Sequence, residues 1–259
     1  MPLEPDPVNG TLRRVTDLFS HHFGTGSPRV LLLHGLGSAG SVWWQIAEAL
    51  SDAGYPSIAP DLRGHGESAR ADEYTLDGYA ADVVSSHPGP WDLVVGHSLG
   101  GAIAVRAAAL DPGFAGGYLL IDPALDLDSA TVSSLRSDLI AEAENPPSVA
   151  QLMTDHPAWS VGDAERKRAA VLATSPVVMS STFDDNPDWH TGSTLSTIKA
   201  PVHILGADLD PLYTASDFER HSLPYSTAVF EVVLDAGHSI HRDAPETVIE
   251  RALDLLSGP

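Results

Sequence analysis

The sequence predicts an α/β domain, a mostly parallel β-sheet covered by helices on both faces, with one helical insertion. Three observations point there. Short apolar runs recur along the chain and end in Gly- or Asp-rich loops, the pattern of strands buried on both faces. Segments with helical spacing alternate with them, and such alternation builds parallel sheets through crossover connections. The sharpest signal is Gly96-His97-Ser98-Leu99-Gly100, a Ser turn between an apolar run and an Ala-rich helical segment. Side chains do not fit at the flanks of so tight a turn, so glycine is needed at 96 and 100.

Taken in order, Thr11–Phe23 has poor helical spacing and reads as an antiparallel edge hairpin. Val30–Leu33 and Tyr55–Ala59 are buried strands. Between them Ser41–Ala53 carries Val42, Ile46, Ala49 and Leu50 at helical intervals, and Gly54 stops it. Trp91–Val95 is the next strand, followed by a helix over Leu99–Leu110. Tyr118–Ile121, Val202–Leu205 and Val229–Leu234 are further strands, and Ala244–Leu256 is an amphipathic closing helix. From about 125 to 199 there is no convincing strand. Helical patterns over Ser129–Glu144, Ser148–His156 and Asp163–Thr174 are punctuated by Asn145-Pro146-Pro147 and Pro157. Residues 1–124 and 200–259 therefore form the core domain and 125–199 a helical cap. Ligands of open α/β sheets sit at the carboxyl ends of strands, where such an insertion walls a pocket.

The chain has 259 residues, 43% of them apolar, enough for one domain of ordinary size with a sizeable core. Its net charge of −21 repels phosphate backbones and anionic lipid, which excludes nucleic-acid and membrane-surface partners and disfavours polyanionic substrates. Lys167 and Lys199 are the two lysines, and the sequence shows no basic patch. Without cysteine there is no thiolate or disulfide chemistry. Met1–Gly10 is acidic and Pro-rich, unlike a signal peptide, and no apolar stretch approaches the roughly 20 residues that span a bilayer. A cytoplasmic, bacterial-type protein is expected, as a monomer or homodimer.

Five motifs fall at predicted strand ends: His34-Gly35-Leu36-Gly37, Asp61-Leu62-Arg63-Gly64-His65-Gly66-Glu67-Ser68, the Ser98 turn, Gly206-Ala207-Asp208-Leu209-Asp210-Pro211, and Asp235-Ala236-Gly237-His238. With them the chain resembles the α/β-hydrolase superfamily over nearly its full length, as a serine esterase- or lactonase-like member with a helical cap. The resemblance implies a sheet of the eight-stranded type and a catalytic order of Ser, Asp, His.

A serine hydroxyl is a poor nucleophile at neutral pH and needs a base beside it. Ser98 is the nucleophile, and His238 is the base because it follows the last strand in a Gly-His turn. Of the 12 histidines, His21, His22, His87, His156 and His221 have no such context, while His97 and His241 adjoin the catalytic loops. The resemblance places the acid just before a proline in the loop after the later strand, hence Asp210; Asp122, ending Tyr118–Ile121, is the alternative, with Asp208 serving loop amides. Leu99 N–H, directly after the nucleophile, supplies one oxyanion donor. By resemblance Leu36 N–H supplies the other, and Asp61–Ser68 is scaffolding. His34, Gly35, Trp43, His97, Met153, Trp159, Met179 and Trp189 are candidate pocket residues. His238 and His241 lack a third ligand for a metal, and no phosphate or dinucleotide loop appears, so neither metal nor cofactor is expected.

The expected activity is hydrolysis of a carboxylic ester or lactone of a small, largely apolar substrate through an acyl-enzyme on Ser98, failing in acid as the base protonates. The alternatives are a C–C bond hydrolase of ring-cleavage products, whose members often carry Asn where His97 stands, and a cofactor-free perhydrolase, often with Met in place of Leu99. A small-molecule receptor of the same fold is the non-enzyme alternative. Ser98 excludes the dehalogenases and epoxide hydrolases, which need Asp there.

Overall fold

The computed structural model describes residues 16–221 and 228–258, with the backbone of two short strands before them, β1 (Leu3–Pro5) and β2 (Leu12–Arg14). The main sheet is formed by β3 (Ser20–Phe23), β4 (Val30–Leu33), β5 (Ser57–Pro60), β6 (Leu93–His97), β7 (Tyr118–Ile121), β8 (Val202–Ala207) and β9 (Ala228–Val233). Their spatial order is β3-β5-β4-β6-β7-β8-β9. All neighbours are parallel except β3, which runs antiparallel to β5 at the edge. The described sheet thus has seven strands rather than eight. The edge hairpin expected over Thr11–Phe23 is corrected: only β3 joins the sheet, and β2 pairs with β1 in a separate antiparallel ribbon.

Alternation along the strands feeds two cores. Leu31, Leu33, Val94, Leu120 and Ile204 face α2 (Leu76–Ser86) and α3 (Leu99–Leu110). Val30, Leu32, Val95, Leu119, Ile121 and Leu205 face α1 (Trp44–Asp52) and α10 (Pro245–Ser257). Each such side chain is worth roughly 2 kcal/mol buried. Helix α2 has no counterpart in the sequence reading. Thr75 caps it, accepting from Gly78 N–H at 3.0 Å.

Between β7 and β8 the chain builds α4 (Ser129–Glu144), α5 (Val149–Asp155), α6 (Val161–Ala173) and α7 (Pro176–Asp184). Asp128, Ser148, Ser160 and Ser175 cap their N-termini through side-chain oxygens, which explains where each helix starts. The short helices α8 (Ala215–His221) and α9 (Ile240–Asp243) complete the chain.

Candidate active site

Ser98 sits between β6 and α3 at φ 52°, a left-handed conformation that a side chain adopts only under constraint. The constraint is visible. Ser98 C=O accepts N–H bonds from Gly101 at 3.0 Å, Ala124 at 3.1 Å and Ala102 at 3.2 Å, while Ser98 N–H donates to Ile121 C=O at 3.0 Å. A Cβ at Gly100 would lie 2.2 Å from Leu33 O, and one at Gly96 would lie 2.5 Å from Gly100 O. Both glycines are required. Leu99 is the first residue of α3, so its N–H has no acceptor within the helix.

His238 follows β9, half-buried, and its Nδ1–H donates to Asp122 Oδ2 at 2.6 Å. That leaves Nε2 with a free lone pair. Asp122 is fully buried at the end of β7, with φ 38°. Its carboxylate also accepts from Tyr213 N–H at 3.0 Å and Leu212 N–H at 3.1 Å. The sequence favours Asp210 as the acid; in the structure His238 is hydrogen-bonded to the alternative, Asp122. Asp210 is exposed, and the turn it makes with Pro211 sends the next two amides to Asp122 instead of presenting its own carboxylate. Sheet register explains the pairing: His97 on β6 is opposite Ile121 on β7, so Ser98 and Asp122 leave adjacent strands side by side. Asp208 Oδ2 accepts Asp235 N–H at 3.3 Å, a loop role as expected.

His97 Nε2–H donates to His238 C=O at 2.9 Å, and its ring lies 4.6 Å from that of His238 and 4.5 Å from that of His241. Burial, reinforced by the positive groups nearby, holds the His97 and His241 imidazoles neutral, well below the usual histidine range. His97 thus fixes the loop that carries His238.

The His34–Gly37 loop is tied to the Asp61–Ser68 loop by two buried imidazoles. Leu62 N–H donates to His34 Nε2 at 3.0 Å, and Gly37 N–H donates to His65 Nε2 at 3.2 Å. Their Nδ1–H groups donate to Gly35 C=O and Arg63 C=O, at 2.8 and 2.9 Å. Both rings must be neutral to accept at Nε2, and burial lowers His34 to about 4 and His65 to about 3. Asp61 accepts from Gly40 N–H and Glu67 N–H, and Arg63 pairs with Asp82 at 2.6 Å, so the motif is scaffolding.

Ser98, His238, Leu36 and Leu99 share one cavity of about 130 Å³. Its walls are mostly apolar: Ala124 and Leu212 from the core domain, and Leu127, Leu135, Leu139, Phe183 and Trp189 from the insertion. Of the expected pocket residues Gly35, His97 and Trp189 line it. The others lie elsewhere. His34 and Trp43 are fully buried in the core, Met153 and Trp159 pack with Leu152 in a small satellite core, and Met179 rests on Gly37, its Cε 2.7 Å from where a Cβ would stand. Sequence reasoning missed Lys167 and Arg242, which also line the cavity. Arg242 lies four residues beyond His238, the one sequence signal that points to it. Among the described residues no group of ligands suited to a metal ion is found, and no helix is long and apolar enough to cross a membrane.

A family model described as the alpha/beta hydrolase family matches residues 30–251. The chain belongs to this family. It is 27% identical to the esterase Rv0045c of Mycobacterium tuberculosis, over 94% of this chain and 89% of that one. It is also 36% identical to the lipase LipV of the same organism, over 135 residues covering 50% of this chain and only 51% of the lipase. A thermophilic esterase from Thermogutta terrifontis shares the fold, with TM-score 0.75 and 22% identity over 99% of this chain and 97% of that one. Relatives named esterase and lipase support a hydrolase that acts on esters.

Proposed function

We propose that the protein is a serine hydrolase that cleaves a carboxylic ester or lactone through an acyl-enzyme on Ser98. The observation that carries this reading is the 2.6 Å bond from His238 Nδ1 to the buried Asp122 carboxylate, on the wall of the cavity that holds Ser98. That bond selects the tautomer whose Nε2 can take a proton. His238 Nε2 accepts the Ser98 hydroxyl proton as Oγ attacks the substrate carbonyl. The oxyanion is received by the N–H groups of Leu99 and Leu36. Collapse of the tetrahedral intermediate expels the alcohol, which leaves with the proton from His238. Water, deprotonated by His238, then attacks the acyl carbon and frees the acid and Ser98. Asp122, rather than Asp210, is the acid that orients His238.

The insertion acts as a cap: five of its apolar side chains close the cavity. A cavity of about 150 Å³ holds a benzene molecule, so a site of this size suits a short acyl chain. A panel of p-nitrophenyl esters and simple lactones of graded size tests the reading, with Ser98→Ala as control. Turnover of short members that vanishes in Ser98→Ala is expected. Turnover unaffected by that substitution, or none on any member, overturns it.

A further inference from the structure

The apolar cavity contains two cations that the ester chemistry above does not use. Arg242, on α9 just beyond His238, lines it and is 4% exposed. Lys167, reaching in from α6 of the insertion, lines it as well. They come from segments 75 residues apart in a strongly acidic chain, so their meeting at the site is not a by-product of a basic surface.

The two are not equally satisfied. Lys167 Nζ donates to Glu142 Oε2 at 2.7 Å. Arg242 donates one bond, from Nη1 to Ser239 Oγ at 3.1 Å, and its guanidinium stacks over Trp159 at 4.8 Å. Its Nε and Nη2 are buried without a hydrogen-bond partner among the described residues. The neighbouring acids are committed elsewhere. Asp163 accepts from Trp44 Nε1 and from Ser160, and Asp243 from Trp159 Nε1 and Gly237 N–H. Burial lowers both cations, Arg242 to about 10, which leaves it charged near neutrality.

A buried guanidinium with unmade hydrogen bonds is costly unless something completes it. The two open donors are informative. Nε–H and one Nη2–H point the same way along one edge of the guanidinium, a fork spaced for the two oxygens of a carboxylate. An adjacent ammonium adds a second positive charge. We propose that Arg242, aided by Lys167, is a recognition site for a carboxylate carried by the substrate. The substrate is then a small ester or lactone with a second, ionised acid group, such as the half-ester of a short dicarboxylic acid. This narrows the proposed function and rests on it for the hydrolytic step. Aliphatic walls take the short chain, and the cationic end fixes which way it lies relative to Ser98.

Monomethyl succinate and methyl butyrate match in chain length and differ in the terminal group, carboxylate against methyl. Methanol release gives kcat/KM for each. Wild-type protein is expected to favour monomethyl succinate by about ten- to hundredfold, and the ratio of the two kcat/KM values to collapse toward one in Arg242→Gln. A purely structural Arg242 would lower both values together and leave the ratio where it was, which overturns the proposal; so does a wild-type preference for methyl butyrate. If Arg242→Gln does not fold, Lys167→Gln is read in the same way. Calorimetry on Ser98→Ala separates the two levels of the reading, because it needs no turnover. Binding of monomethyl succinate, weakened by salt and absent for methyl butyrate, upholds the carboxylate site even if no ester is cleaved. Equal binding of both, or of neither, removes it.

Discussion

Asp122→Asn is the substitution whose effect follows most directly from the geometry. Asp122 Oδ1 accepts from the Tyr213 amide at 3.0 Å and shares the Leu212 amide with Oδ2 at 3.1 Å, while Oδ2 faces His238 Nδ1 at 2.6 Å. An asparagine has one oxygen, and it is held at the Oδ1 position, because an NH₂ there would oppose both the Tyr213 and Leu212 N–H groups inside a fully buried site, against the shared Leu212 N–H alone at the other position. Its NH₂ must then point at His238. Nδ1 becomes the acceptor, the proton moves to Nε2, and the ring can no longer take the Ser98 proton. Fold and active-site shape survive while the base is lost. The equivalent exchange in a Ser-His-Asp triad lowers kcat by about 10⁴-fold, or roughly 5.5 kcal/mol of barrier. Asp210 is exposed and should tolerate Asn within a few-fold. Hydrolysis of p-nitrophenyl butyrate measures both variants, with melting temperatures to verify that each is folded. An Asp122→Asn variant within tenfold of wild type, or a larger loss from Asp210→Asn, refutes the assignment.

Two further outcomes are expected. Burial keeps His34 and His87 neutral down to about 4 and His65 down to about 3, against 6.5 in the unfolded chain. Their stabilisation is full above pH 6.5 and is lost as pH falls toward 4, at about 1.4 kcal/mol per pH unit for each histidine. Urea midpoints should drop clearly between pH 7.5 and 5.5, and a midpoint independent of pH would contradict their neutral burial. His65→Ala leaves Gly37 N–H without its acceptor and frees the loop that presents Leu36. A fall in kcat on the order of tenfold, below the roughly 10²-fold or more for losing an oxyanion donor outright, is expected with a smaller change in KM. His65→Gln, which keeps an acceptor, should recover part of it.

The sheet and the Ser98 corner are legible in the sequence because their signals are local: short apolar runs, and glycines where a Cβ would meet backbone. Helix α2 is not. Its buried residues include Asp82 and Gly78 beside Leu76, Tyr79 and Val83, so no clean apolar stripe marks it. The choice between Asp122 and Asp210 was also closed to the sequence, since each follows a strand and precedes a proline. What separates them is strand order, which puts β7 and not β8 beside β6. The cavity walls were half legible. An aromatic or Met in the insertion can face the site or its own core, and Trp189 and Trp159 take opposite answers: Trp189 Nε1 bonds Ala124 C=O beside Ser98, and Trp159 packs outside the cavity. The meeting of Lys167 with Arg242 depends on tertiary folding alone.

The reactivity of Ser98 is tested most directly by covalent labelling. A fluorophosphonate added to the native protein should give a single adduct by intact mass, mapped by peptide sequencing to Ser98. The adduct should be absent from Ser98→Ala and strongly slowed in His238→Ala and Asp122→Asn. An unlabelled native protein, or a label on another residue, would contradict an activated serine at this corner.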